Sequence, residues 1–254
     1  MAKPKSSKPK TAKAVKKKPA PKKASVPLSR ATAVAWLRAH VLRGVLILLA
    51  AVLAVVVLYK FINPPTTITM LSEARRLGGI DHEWAAMDDI APVMARSAVA
   101  AEDANFCRHW GFDMRAIRKV IDEGSSRGAS TISQQTAKNV FLWQGRSWLR
   151  KAMEAALTPA IEFIWNKRRI LEVYLNVAEF DEGVFGINAA AFRYFRTTPD
   201  KLTARQAALL AAVLPNPKER DAAHPSAFLS RRANAIMDGA ATIERDGRAE
   251  CFER

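Results

Sequence analysis

Three regimes of apolar and polar positions divide this chain. Residues 1–43 open with MAKPKSSKPKTAKAVKKKPAPKKASVPLSR, rich in Lys, Pro and Ala and without apolar periodicity. Such a segment buries too little apolar surface to offset chain entropy, so it is expected to be disordered. Residues 44–62, GVLILLAAVLAVVVLYKFI, are apolar without a break from Gly44 to Tyr59. Lys60 can snorkel to an interface, which extends the stretch to Ile62. At 1.5 Å rise it then covers about 28 Å of a ~30 Å bilayer core. The run is long, lies far from the N-terminus and precedes no clear A-x-A site, so it reads as an uncleaved transmembrane anchor. Residues 63–90 begin NPPTTITM and are expected to form an extended link. From Ile90 the spacing is helical, and residues 91–254 read as one domain.

Within that domain the pattern predicts helices with irregular connections. APVMARSAVAAED is Ala-rich and lacks strand alternation. DMRAIRKVIDEG places Met114, Ile117, Val120 and Ile121 on one face and stops at Gly124. SSRG is expected to be a loop, and STISQQTAKNVFL follows with a cap at Ser130 or Thr131. RSWLRKAMEAALTPAIEFIWN, the longest pattern, puts Leu149, Met153, Leu157 or Ala156, Ala160 and Ile164 on one side. Pro159 should kink it or end its first half. KRRILEVYLN is a further helix, and GINAAAFRYF follows a Gly-rich turn. LTARQAALLAAVLP opens with a Thr203–Gln206 capping box and closes at Pro215. Ser226 begins a last helix with Leu229, Ala233 and Ile236 inward. Convincing strands are scarce, no internal repeat is visible, and the fold class is all-α.

A net charge of +16 changes the picture of the tail only. Residues 1–43 hold 13 Lys or Arg and no Asp or Glu, so the other 211 residues carry a net +3. A Lys-rich tail can bind nucleic acid or anionic lipid. Placed just before an apolar run, it reads better as a solvated topogenic tail, and no nucleic-acid partner is expected. The positive-inside rule puts it in the cytoplasm and residues 63–254 outside. Cys107 and Cys251 would there meet oxidising surroundings, and a disulfide and free thiols both stay open. No CxxC or His/Cys spacing suggests zinc.

Between Glu102 and Glu172 the apolar positions are interleaved with polar residues that are costly near a core without a task. Among them are Glu102, Asp103, His109, Gln134, Gln135, Lys138, Arg150, Glu154 and Lys167. Glu102 follows an apolar run and stands beside Asp103. A buried Glu has its pKa raised above ~4.3 and suits a proton acceptor, although a helix-end carboxylate capping backbone amides fits the same position. Arg150 and Glu154 share a helix face, as a solvated salt bridge would. Gln134, Gln135 and Lys138, at spacings of four and three, put two amides and an ammonium on one helix face, either as solubilising residues or as a cradle for an anion. His109 reads best as a hydrogen-bonded structural residue. Ser7 to Lys10 formally match S-x-x-K but lie in the tail without S-D-N or K-T-G partners.

Taken in order, five stretches resemble one family. EDANFCRHWGFD is similar to E-D-x-x-F-x-x-H-x-G, and GASTISQQTAKNVFL to G-x-S-T-[IL]-x-Q-Q-x-x-K-N-x-x-L. RKAMEAAL resembles R-K-x-x-E, and KRRILEVYLN resembles K-x-x-I-L-E-x-Y-L-N. GVFGINAAAFRYF resembles the last motif. These are motifs of the peptidoglycan glycosyltransferases that polymerise lipid II, alone or as the N-terminal domain of class A penicillin-binding proteins. The resemblance spans about Pro64 to Pro225. NPPTT and LPNPKERDAAHPS are similar to the monofunctional form, and no transpeptidase-like segment follows. Asp181 stands where the pattern usually has Gly, and Arg196 where Gly-Lys is common. Both bear on turn geometry, and neither is catalytic by resemblance.

The resemblance implies a lysozyme-like helical domain at the bacterial inner membrane, with its catalytic part periplasmic. It implies inverting transfer onto lipid II or a growing glycan chain, with release of undecaprenyl pyrophosphate. Glu102 matches the general base and Glu154 the second glutamate, near the leaving group or its counter-ion. Lys138 and Arg150 match the cations on the pyrophosphate. Gln134, Gln135, Asn139, Lys167, Ser130 and Thr131 match substrate-binding positions, and Asp103, Phe106 and His109 match supports of the first motif. No cofactor is required by the resemblance; a divalent cation, Mg²⁺ or Mn²⁺, stays open at the pyrophosphate. Membrane lipids and cell-wall synthesis or division proteins are the partners it suggests. A lipid pyrophosphate is already a good leaving group, so a base on one side and positive charge on the other suffice. A lysozyme-like lytic enzyme, which must protonate a poor leaving group, is the alternative. A membrane-anchored nucleic-acid-binding protein would leave the five motifs unexplained.

Overall fold

The computed structural model describes residues 30–124 and 130–253. The Lys-rich tail up to residue 29 and the expected SSRG loop lie outside the described residues. The chain forms two units, Met1–Leu48 and Leu49–Arg254. Helix α1 runs from Arg30 to Tyr59. Residues 30–43 are therefore helical, which corrects the expected tail over 1–43. The reason is local: RATAVAWLRAHVLR is rich in Ala, Leu and Arg and holds no Pro, so helix propensity starts before the apolar run does. The helix also stops at Tyr59, short of the expected end at Ile62. Val34–Tyr59 is long and apolar enough to cross a membrane, as a single-pass anchor would be.

Residues 63–90 are not the extended link that their prolines suggested. Helix α2 spans Ile68–Leu77, and the side chain of its N-cap Thr67 accepts from the Met70 amide at 3.2 Å. Pro64 and Pro65 precede that cap, where they cost the helix no ladder bond. The two-residue strand β1 (Asp81–His82) follows. It belongs to a small sheet ordered β1-β3-β2, completed by β2 (Glu179–Asp181) and β3 (Val184–Phe185). β1 pairs with β3 in parallel and β2 with β3 antiparallel. The remaining helices are α3 (Pro92–Glu102), α4 (Met114–Asp122), α5 (Ile132–Phe141), α6 (Trp148–Ile164) and α7 (Lys167–Val177). After the sheet come α8 (Ile187–Phe195), α9 (Ala204–Val213), α10 (Ala227–Arg245) and α11 (Glu250–Glu253). The domain is thus predominantly helical.

Two packed groups of helices position the site. α3, α9 and α10 form one, and α5, α6 and α7 the other. Small residues bring the first group close. Ala207, Ala208, Ala211 and Ala212 of α9 are buried with Ala95 and Ala98 of α3. A Cβ at Gly239 of α10 would lie only 3.2 Å from that of Ala100. α7 is buried almost all round, from Ile170 to Val177. Its Asn176 grips the chain ahead of α3: the side-chain oxygen accepts from the Ala85 amide and the side-chain nitrogen donates to the Ala85 carbonyl, both at 2.8 Å. Gly186 passes so close that a Cβ would meet the Asn176 carbonyl at 2.8 Å, with φ at +82°.

Two amphipathic helices leave part of their apolar side exposed. α6 buries Glu154, Thr158, Ile161 and Glu162, while Leu149, Met153 and Phe163 are exposed. It continues through Pro159, which lies on the exposed side and removes one ladder bond without ending the helix. α10, with 19 residues, is longer. α4 buries none of its residues, and Met114 and Ile121 stand exposed.

Candidate active site

α3 ends on Glu102, and the turn after it is built from the first motif. Asp103 is buried and joins two elements. Its Oδ1 pairs with His109 Nε2 at 2.8 Å, and its Oδ2 accepts from the Ile132 amide at the start of α5 at 3.0 Å. Phe106 is fully buried below, with the Lys167 ammonium 4.4 Å from its ring centroid. Lys167 also donates to the His109 carbonyl at 2.9 Å and to Glu162 Oε1 at 2.7 Å. Gly111 closes the turn at φ +84°, where a Cβ would meet Thr158 at 2.4 Å. The Cys107–Cys251 disulfide then ties this turn to α11.

The base candidate is held from α5. Gln135 Nε2 donates to Glu102 Oε2 at 2.9 Å, and the Tyr174 hydroxyl donates to Gln135 Oε1 at 3.4 Å. Burial pushes the Glu102 carboxyl above the ordinary range. The Gln135 bond and the charges of Arg232, Arg220 and Lys138 pull it back without cancelling the rise.

Glu102 opens on a cleft of about 720 Å³. In the same cleft Arg150 Nη1 donates to Glu154 Oε2 at 2.8 Å, and Arg150 Nε to the Gly145 carbonyl at 2.9 Å. Lys151 pairs with the other oxygen of Glu154 and donates to Ser130 Oγ at 3.0 Å. Lys138 lines the same cleft within electrostatic reach of both carboxylates, and burial lowers its pKa. Four cations, Lys138, Arg150, Lys151 and Arg232, thus line the cleft with two carboxylates. That surplus suits a dianionic ligand. It does not suit a metal held by the protein, because both Glu154 oxygens already face cations. Among the described residues no group of three or more His, Cys, Asp or Glu could hold a metal ion.

Six of the expected site residues meet in the cleft: Glu102, Ser130, Gln135, Lys138, Arg150 and Glu154. Four others do not line it. Thr131 and Gln134 form the capping box of α5, with the Thr131 amide donating to Gln134 Oε1 at 3.1 Å. Asn139 is buried and accepts from Gln144 at 3.4 Å. Lys167 is spent on His109 and Glu162. Spacing alone does not explain the division, since Gln134 lies four residues before Lys138; the capping box turns its side chain back to the Thr131 amide. Sequence reading missed Lys151, Phe228 and Arg232, all on the cleft. Lys151 carried a signal, standing three residues before Glu154. Phe228 and Arg232 belong to none of the five motifs.

A helical domain whose half-buried carboxylate shares one cleft with clustered cations is suited to group transfer from an activated anionic donor. Residues 69–241 match the family model described as Transglycosylase. The chain is 61% identical over 216 residues to the biosynthetic peptidoglycan transglycosylase of Jannaschia sp. (strain CCS1), covering 85% of this chain and 90% of that protein. Its likeness to the protein of that name from Caulobacter vibrioides is 47% over 210 residues, 81% of this chain and 92% of the other. The chain belongs to the transglycosylase family.

Proposed function

We propose that this protein is a membrane-anchored peptidoglycan transglycosylase that polymerises lipid II into β(1→4) glycan strands. The observation that carries the reading is the placement of Glu102 and a cation cluster on one cleft. Glu102 takes the proton of the acceptor 4-hydroxyl. The hydroxyl oxygen bonds to the donor's anomeric carbon from the face opposite the lipid pyrophosphate. The bond from that carbon to the pyrophosphate oxygen breaks, and its electron pair stays on the oxygen beside Lys138, Arg150 and Lys151. Undecaprenyl pyrophosphate departs and the configuration inverts. Glu154 holds Arg150 and Lys151 in place by opposing their charge.

A lytic enzyme would need an acid to protonate its leaving group. Glu154 offers neither oxygen freely, and a finished strand has no pyrophosphate for the cations.

The basic tail belongs in the cytoplasm and the domain in the periplasm of the inner membrane. The Cys107–Cys251 disulfide supports an oxidising compartment for the domain. The exposed apolar faces of α4 and α6, with Trp148 91% exposed, support contact with bilayer lipid near a lipid-linked substrate. The test is incubation of the detergent-solubilised protein with labelled lipid II. Polymer on a gel is expected, and its absence with intact substrate rejects the reading.

A further inference from the structure

The far end of the chain also reaches the base. Arg232 lies on α10, outside every motif, yet it lines the cleft. Its nearest guanidinium nitrogen is 4.0 Å from Glu102 Oε1, on the oxygen that Gln135 leaves free. Its Nε is buried and has no hydrogen-bond partner. An isolated structural arginine would be expected to satisfy that donor. The 4.0 Å gap is too long for a hydrogen bond, so the oxygen keeps its lone pairs, but it is short enough for a strong charge interaction.

We propose that Arg232 is a positioning residue for the reaction: its cation faces Oε1 of Glu102 across the cleft and keeps that oxygen directed at the incoming hydroxyl. Gln135 holds one carboxylate oxygen by a hydrogen bond, and Arg232 steers the other by charge alone. A direct hydrogen bond from Arg232 would occupy the lone pair that must receive the proton. The inference rests on the transglycosylase reading of the same cleft.

Other groups act on Glu102 from the surrounding elements. Lys138 and Gln135 face it from α5, Tyr174 from α7, and Arg220 from the segment after α9. Arg220 is anchored by donation to the Ala212 carbonyl at 2.7 Å and stacks on Phe228, so it is a more distant, fixed charge. Asp103, next in the chain, is engaged by His109 and Ile132. Arg232 is the cation with an ion-pair contact to the carboxylate among the described residues.

The experiment compares full-length wild type, Arg232→Gln and Arg232→Lys, in detergent with lipid II, across pH. An opposite charge at this range shifts a carboxylate by about 1 unit or more. Arg232→Gln is expected to move the acidic limb of kcat/KM up by about that amount, with activity recovering at higher pH. Arg232→Lys is expected to return the limb towards wild type. An unmoved limb with a raised KM would overturn the proposal and make Arg232 a substrate ligand. Loss at every pH in both variants, with unchanged thermal melting, would overturn it too. Failure of the wild type to polymerise lipid II would instead reject the underlying reading.

Discussion

Gln135 Nε2 donates to Glu102 Oε2 at 2.9 Å, and this bond decides which oxygen of the carboxylate is free. Hydrogen bonds to charged groups contribute about 1.5–3 kcal/mol. Gln135→Leu removes the bond that favours the charged, oriented carboxylate. It should lower kcat by roughly tenfold to a hundredfold, by the conversion of 1.36 kcal/mol per decade. Glu102→Gln, which keeps the shape and loses the basicity, should lose about 10²–10⁴ in rate. Gel assays of lipid II polymerisation measure both, with melting curves to show that the fold persists. A Glu102→Gln variant with more than about half the wild-type rate would make another residue the base.

Two groups in the cleft titrate towards each other. Glu102 works deprotonated, and burial raises its pKa, so activity should fall with acid at a pH above the ordinary ~4.3 of a glutamate. Lys138 works protonated, and burial lowers its pKa, so activity should fall with base below the ordinary ~10.4 of a lysine. The kcat/KM profile is expected to be a bell narrowed from both sides. Lys138→Arg should move the alkaline limb outward, because guanidinium does not deprotonate in this range. An alkaline limb that stays in place assigns it to another group.

Much of the fold was legible because its signals are local. The Thr203–Gln206 box, the Ser226 cap and the inward Leu229, Ala233 and Ile236 all stand where the pattern placed them. The sheet was not legible, since strands of two or three residues are too short for alternation to register. The apolar side of α6 was legible, but not which side is buried. Apolar periodicity locates a face without saying what covers it, and here Glu154 and Glu162 are the buried side chains. Motifs found Glu102, Lys138 and Arg150, but Arg232 reaches the cleft only through tertiary packing. Arg196, a departure from the motif's usual Gly, is the non-glycine residue at positive φ among those described. Its guanidinium lies 4.9 Å from the Phe192 ring, a contact that offsets part of the backbone cost.

The Cys107–Cys251 disulfide closes a loop with a sequence separation of 144. On the chain-entropy account a loop of that size stabilises by about 5 kcal/mol. Cys107→Ser with Cys251→Ser should therefore lower Tm by roughly 10 °C or more, given ~2–4 °C per kcal/mol for a domain of this size. Reductant should lower the melting point of the wild type and leave the double variant unchanged. A wild-type melt indifferent to reductant would mean that the pairing contributes nothing.

The exposed face of α6 makes a separate claim. Trp148 and Leu149 are among its most exposed residues, in a chain that carries a membrane-length helix. In a variant retaining Trp148 as its only tryptophan, vesicles of brominated phospholipid should quench the fluorescence. Fluorescence no lower than with unbrominated vesicles would remove α6 from the membrane surface.

Synthesis and lysis part at the cations. Lys138, Arg150 and Lys151 are expected to matter most as negative charge builds on the departing oxygen. Arg150 already uses Nη1 on Glu154 and Nε on Gly145, so its orientation is fixed before substrate arrives. Lysine at that position keeps the charge but cannot make both bonds, so Arg150→Lys should still be impaired. Lys138→Ala should lower kcat more than it raises KM, because the charge it meets is largest in the transition state. Loss of one preorganised stabiliser typically costs about 10²–10³ in rate. A lytic enzyme releases no pyrophosphate and would tolerate both changes. Both variants are assayed on lipid II and on finished, uncrosslinked glycan. Wild type that digests the glycan, with both variants still digesting it, would reject glycosyl transfer in favour of lysis. Wild type that polymerises lipid II, with both variants slowed and the glycan left intact, is the expected result.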